Sequence, residues 1–226
     1  MVALDGPAGS GKSSVSKAAA RALGFKYLDT GAAYRAVAWH ALNRGVDYHS
    51  AEAVVESLES FDYRTGTDPD EFFVRVGDDE ITEVIREPRV SSVVSYVARV
   101  PEVRSHLNAM FRGILAQADP GIIAEGRDIT TVVAPDAPVR ILLTASEEAR
   151  AARRSLELPA RNAAETQSAI TKRDAADAKV SEFMQAAEGV VTVDSTDLNF
   201  EQTVERIVSL VNEERGARGQ ATRRRV

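Results

Sequence analysis

The chain has 226 residues, 44% of them hydrophobic and 27% charged. That is the balance of a globular protein with room for one large domain or a core carrying small insertions. A formal net charge of −6 argues against a molecule built as a whole to attract nucleic acid, so a site for anions must gather its arginines locally. The absence of cysteine excludes disulfides, thiolate catalysis and zinc–thiolate centres.

Val2-Ala3-Leu4 is a short apolar run that reads as a buried strand. It leads into Gly6-Pro7-Ala8-Gly9-Ser10-Gly11-Lys12-Ser13, the spacing G-x-x-x-x-G-K-[ST] of a phosphate-binding loop, and then into a helix-forming stretch from Ser14 to Leu23. Strand, glycine loop and helix are the context that this motif requires. Its glycines allow a tight turn that presents bare N–H groups to a phosphate, and the following helix directs the positive end of its dipole at the same anion. Lys12 is placed to reach the β- and γ-phosphates, and the Ser13 hydroxyl to ligate Mg²⁺. The nucleotide cradle is therefore expected over Gly6–Ser14. With a strand starting at the second residue no signal peptide is expected, and no apolar run approaches the ~20 residues needed to span a bilayer. A cytoplasmic protein without a membrane partner is expected.

Further along, Gly24 reads as a helix cap, 25–29 as a second strand, and Thr30 to about Asn43 as a helix with Gly45 just beyond it. A short helix is expected over 51–60. Residues 61–86 change character: 61–65 and 72–76 read as strands, Gly77-Asp78 as a hairpin turn, and 80–82 as the returning strand. Helices are expected at 87–98 and 101–117. Buried strands follow at 121–125 and 139–144, then an Arg- and Ala-rich helix from Ser146, a strand at 190–194 and a helix at 200–215. This alternation predicts an α/β fold, a three-layer sandwich around a central parallel sheet. The expected domain plan is a core of 1–34, 121–154 and 178–215, an acceptor-binding region of 35–120 with the β-rich insert at about 61–86, and a short helical lid at 155–177. The arginine-rich tail 216–226 is expected to be disordered.

The glycine loop alone does not choose among kinases, GTPases and motors. Neither D-x-x-G nor N-K-x-D occurs in the chain, which counts against a GTPase. Four segments carry the positive signal: Asp29 to Arg35, Gly126-Arg127-Asp128, Ser95 with Arg104, and Arg173-Asp174 with Asp177. The first two follow strand ends, where open parallel sheets bind ligands. A nucleoside monophosphate needs planar cations, which Arg35, Arg127 and Arg173 supply. A ribose needs a carboxylate such as Asp177, and a base with an exocyclic amine needs an acceptor such as Asp128 or the Thr30 hydroxyl. Lys12, Arg127 and Arg173 are the expected catalytic cations, with Mg²⁺ held by Ser13 and a metal-bound water oriented by Glu125.

Several strings together resemble the bacterial cytidylate kinases, members of the nucleoside monophosphate kinase group. They are Leu4 to Ser13, Tyr27 to Arg35, Val97-Ala98 with Pro101 to Arg104, Glu125 to Val133, Pro135-Asp136-Ala137 and Asp194-Ser195-Thr196. They cover nearly the whole chain in the family's order. The resemblance implies ATP-dependent phosphorylation of CMP or dCMP, with the insert at 61–86 as a CMP-binding subdomain; a monomer is expected. By the family's pattern Thr30, Arg104 and Asp128 meet the cytosine beside Ser95. Arg35, Arg127 and Arg173 meet the acceptor phosphate, Asp177 the ribose, and Arg150 and Arg154 flank ATP. The family's arginine a few residues after the aspartate matched to Asp177 is missing, and Lys179 stands nearby as a point charge. Rival readings are a P-loop kinase acting on UMP, shikimate or dephospho-coenzyme A, and a catalytically idle nucleotide-binding regulator.

Overall fold

The computed structural model describes residues 1–157, 171, 174, 175, 177, 178, 181 and 183–223. Its strands are β1 (Val2–Asp5), β2 (Lys26–Asp29), β3 (Tyr63–Thr65), β4 (Val74–Val76), β5 (Asp79–Glu80), β6 (Ile122–Gly126), β7 (Val139–Thr144) and β8 (Val191–Asp194). The helices are α1 (Lys12–Leu23), α2 (Thr30–Asn43), α3 (Ala51–Ser57), α4 (Pro88–Ser91), α5 (Val94–Ala98), α6 (Pro101–Ala116), α7 (Glu147–Glu157) and a C-terminal helix, Phe200–Arg223. Contacts divide the chain into two compact units, Met1–Tyr27 with Asp119–Val226, and Leu28–Ala118.

The first unit is organised by the main sheet, whose order is β2-β6-β1-β7-β8. β1 pairs in parallel with β6 (Val2 with Ile123, Asp5 with Gly126) and with β7 (Val2 with Val139, Asp5 with Leu142), and β7 pairs in parallel with β8. β1 and β6 are buried along their whole length, as the continuous apolar runs of central parallel strands require. β8 lies at the edge and buries only Val193. α1 packs on β6 and on the C-terminal helix, burying Val15, Ala19, Ala20, Ile207 and Val211. Gly24 closes α1 at φ 64°, where its N–H reaches the Ala20 and Arg21 carbonyls.

The second unit joins helices to the three-stranded antiparallel sheet β3-β4-β5. Its core is drawn from Val37, Val54, Val74, Ile81, Ile85, Val97, Val103, Leu107 and Phe111. Asp29 caps α2 by accepting from Ala32 N–H at 2.9 Å, and Ser50 caps α3. His40 is buried on α2, with Nε2 donating to the Ser57 carbonyl at 3.0 Å and its ring edge-on to Phe61. Burial holds this imidazole below its ordinary value of 6.5.

Three segments differ from the sequence expectation. The helix expected at 87–98 is broken into α4 and α5. Val90, Val93, Val94 and Val97 are all buried there, and β-branched residues resist a continuous helix while packing well. Ile129–Val133 forms a single π-helical turn that no local pattern announced. The C-terminal helix runs on to Arg223, through most of the tail expected to be disordered. Ala, Arg and Gln are good helix formers, and Arg218 donates to Glu214 one turn back. Residues 158–170, 172, 173 and 176 of the expected lid, and Lys179 beyond it, lie outside the described residues.

Candidate active site

The loop between β1 and α1 is shaped by two close approaches. A Cβ on Gly6 would overlap the carbonyl oxygen of Leu143. Gly9 sits at φ 76°, and a Cβ there would lie 2.8 Å from the Arg150 carbonyl oxygen. Only glycine meets both demands, so the loop lies against the end of β7 and the first turns of α7. Gly11, also left-handed at φ 85°, precedes the first turn of α1. The Lys12 ammonium folds back toward the Pro7 carbonyl at 3.4 Å, and Ser14 Oγ donates to Gly11 O.

Register places a second group of side chains beside this loop. Asp5 pairs with Gly126 across the sheet, so the residues that follow β6 emerge next to the residues that follow β1. Asp5 is 1% exposed, and its carboxylate accepts from Ile129 N–H (2.9 Å), Thr130 N–H (2.8 Å) and the Thr130 hydroxyl (2.6 Å). Burial pushes the Asp5 carboxyl above its usual range, while these three donors and Lys12 pull the other way. The contact ties the π-helical turn, and with it Arg127 and Asp128, to the strand that carries the glycine loop. Asp128 itself is buried.

Glu125, 2% exposed at the end of β6, accepts from Ser13 Oγ at 2.6 Å and from the Tyr27 hydroxyl at 3.4 Å. The Ser13 hydroxyl on the first turn of α1 and the Glu125 carboxylate on β6 form a hard oxygen pair, a donor set that suits Mg²⁺. Among the described residues no three acidic or histidine side chains converge into a metal cage. Mg²⁺ needs none where one or two side chains act with phosphates and water.

The arginines form a connected cluster. Arg127 donates to the Gly6 carbonyl, to Asp177 Oδ2 (3.0 Å) and to Asp174 Oδ1 (3.2 Å), and its guanidinium lies over the Phe183 ring at 4.4 Å. Arg150, expected to flank ATP, is 4% exposed and donates to Ala8 O (2.9 Å) and Asp174 Oδ2 (2.5 Å). Arg153, one helical turn on, donates to Ser10 O, to Ser195 Oγ and O, and to Leu198 O. It thereby joins the glycine loop to the segment after β8. There a cavity of about 280 Å³ is lined by Ser10, Gly11, Ser14, Val15, Arg153, Leu198, Asn199, Phe200 and Thr203.

Arg173 lies outside the described residues, and Arg154 is described only by its backbone in α7. Thr30, Arg35, Ser95 and Arg104 belong to the second unit. Thr30 is buried at the start of α2. Arg35 donates to Ile85 O (3.2 Å) and Ser91 Oγ (2.7 Å), while Arg104 reaches Ala98 O at 3.5 Å and Ser95 is half-buried on α5. Sequence reasoning assigned no role to Asp174, Arg153, Tyr27, Phe183 or Ser91. Only the adjacency of Asp174 to Arg173 and Asp177 could have pointed to the first of these.

A glycine loop between a buried parallel strand and a helix, with guanidinium groups gathered around it, defines a P-loop protein that handles nucleotide phosphates. The family model for cytidylate kinase matches residues 2–213. The cytidylate kinase of Streptomyces avermitilis is 44% identical over 219 residues, covering 96% of this chain and 95% of that protein. That of Streptomyces griseus is 46% identical over 218 residues, covering 96% and 94%. That of Cutibacterium acnes is 42% identical over 214 residues, covering 93% and 95%. The chain belongs to the cytidylate kinase family.

Proposed function

We propose that the chain transfers the γ-phosphoryl group of ATP to CMP or dCMP, with the residues described above in the following roles. Family membership makes it an ATP-dependent nucleoside monophosphate kinase. The observation that carries the residue assignment is the cluster of Arg127, Arg150 and Lys12 on a glycine loop whose Ser13 is paired with Glu125. The backbone N–H groups of Gly6–Ser14 receive the ATP phosphates, and the cavity beside Arg153 and Phe200 receives the adenosine. Ser13 would hold Mg²⁺ directly and Glu125 through water, and the metal would supply charge neutralisation for the transferring phosphates.

Arg127, together with Arg173, neutralises the transferring group, while Arg35 grips the acceptor phosphate. Thr30, Ser95, Arg104 and Asp128 read the cytosine, and Asp177 receives the ribose. An oxygen of the acceptor phosphate forms the new bond to the γ-phosphorus as the bond to the β–γ bridging oxygen breaks, giving CDP or dCDP and ADP. A phosphate monoester is largely ionised near neutral pH, so no general base is assigned. The proposal includes a monomer in the cytoplasm with no nucleic acid or membrane partner. The net charge of −6 argues against a surface built to attract nucleic acid, and no helix among the described residues is long and apolar enough to cross a membrane.

The test is ADP release with CMP, dCMP, UMP, AMP and GMP offered in turn. Turnover is expected with CMP and dCMP, and Arg127→Ala is expected to lose about 10²–10³-fold in kcat, the usual cost of one donor to a developing charge. A folded Arg127→Ala enzyme with near-normal CMP turnover overturns the role given to Arg127.

A further inference from the structure

Asp174 is 7% exposed, and its carboxylate occupies an unusual place. Oδ1 accepts from the backbone N–H of Ala8 at 2.9 Å and from Arg127 Nη2 at 3.2 Å. Oδ2 accepts from Arg150 Nη1 at 2.5 Å. One amide of the glycine loop and two guanidinium groups thus converge on a single anionic side chain. These are the kinds of donor that a phosphoryl group recruits, and they lie on the loop that binds phosphate. A phosphate oxygen that takes the Ala8 N–H needs the position held by Asp174 Oδ1. Both anions cannot share these donors, because like charges at hydrogen-bonding separation repel strongly in a buried site.

We infer that Asp174 is a positioning residue that mimics a phosphate: it competes with the nucleotide's phosphates for Ala8 N–H, Arg127 and Arg150, and holds those donors oriented until the phosphates displace it. Nucleotide affinity is then set by the difference between two anions on one set of donors. Ligands that bear a terminal phosphate have to overcome Asp174, and the nucleoside does not. The inference rests on the placement of ATP phosphates at the glycine loop proposed above.

The test is calorimetric binding of tripolyphosphate, a non-hydrolysable ATP analogue and adenosine to the intact protein and to Asp174→Asn, which keeps the side chain's size and removes its charge. If Asp174 competes, the variant binds tripolyphosphate and the analogue roughly tenfold more tightly, the scale of one charge-assisted hydrogen bond, and binds adenosine unchanged. KM for ATP falls with it. If Asp174 serves only to hold the arginines in place, polyphosphate binding is unchanged or weaker, and the inference is overturned. The unmodified protein provides a second measurement. In its crystal structure with the ATP analogue, Ala8 N–H should donate to a phosphate oxygen and not to Asp174; persistence of the Asp174 contact refutes the competition. Failure of both proteins to bind any polyphosphate would instead remove the phosphate site itself, and this inference with it.

Discussion

Replacing Gly9 by alanine meets two independent costs. At φ 76° the residue lies in left-handed space, where a Cβ costs about 1–2 kcal/mol. The added carbon also lies 2.8 Å from the Arg150 carbonyl oxygen and 3.2 Å from Arg150 Cβ. Those atoms belong to the backbone and first carbon of a helix, so relief requires the loop and α7 to separate, at about 1–3 kcal/mol. Gly24→Ala is the control. Gly24 has φ 64° but nothing within 4 Å of the added carbon, so it carries the backbone cost alone. The gain from a stiffer unfolded chain is common to both variants and cancels. Thermal unfolding of the two proteins therefore isolates the packing cost. For a chain of this length each kcal/mol moves Tm by roughly 2–4 °C, so Gly9→Ala should melt about 2–12 °C below Gly24→Ala. Equal midpoints would refute the close approach of loop and helix.

Two further outcomes are expected. Asp5→Ala leaves Ile129 N–H, Thr130 N–H and the Thr130 hydroxyl without their acceptor, at about 2–5 kcal/mol for buried donors left unmade. The urea midpoint should fall accordingly, and an unshifted midpoint would show that these groups find other partners. Because burial lowers the His40 pKa, the folded protein binds fewer protons than the unfolded chain just below 6.5. The stability this confers is complete above 6.5 and is lost as pH falls toward the lowered value. His40→Gln should flatten the decline in Tm between about pH 7.5 and 5.5, and an unchanged decline would exclude His40 as its source.

The glycine loop was readable because its chemistry is local: spacing alone puts Gly9, Gly11, Lys12 and Ser13 in their places. The central strands were readable for the same reason, from the apolar runs Val2-Ala3-Leu4 and Ile122-Ile123-Ala124. The site around them depends on register, which no local pattern carries. Ser13 and Glu125 meet because β1 lies beside β6, and Asp5 receives the 129–130 amides for the same reason. Helical periodicity places Arg150 and Arg153 on one face, but it does not show that Arg150 is buried against the loop while Arg153 lines the cavity. The cavity wall at Leu198, Asn199 and Phe200 has ordinary loop composition. The break between α4 and α5 follows from four valines whose packing overrode the helical pattern.

The division of the chain has a consequence for its biosynthesis. Leu28–Ala118 is one uninterrupted segment with its own buried core, so on the ribosome it is finished before either neighbour of β1 exists. β1 is made before its sheet partners among the described residues, β6 and β7, which begin at Ile122 and Val139. At about 5–20 residues per second, the apolar strand Val2–Asp5 waits on the order of ten seconds without a partner. During that interval the nascent chain exposes a segment that the finished sheet buries completely. Its yield in a cell is therefore expected to depend on what shields the first strand before residue 122 is made.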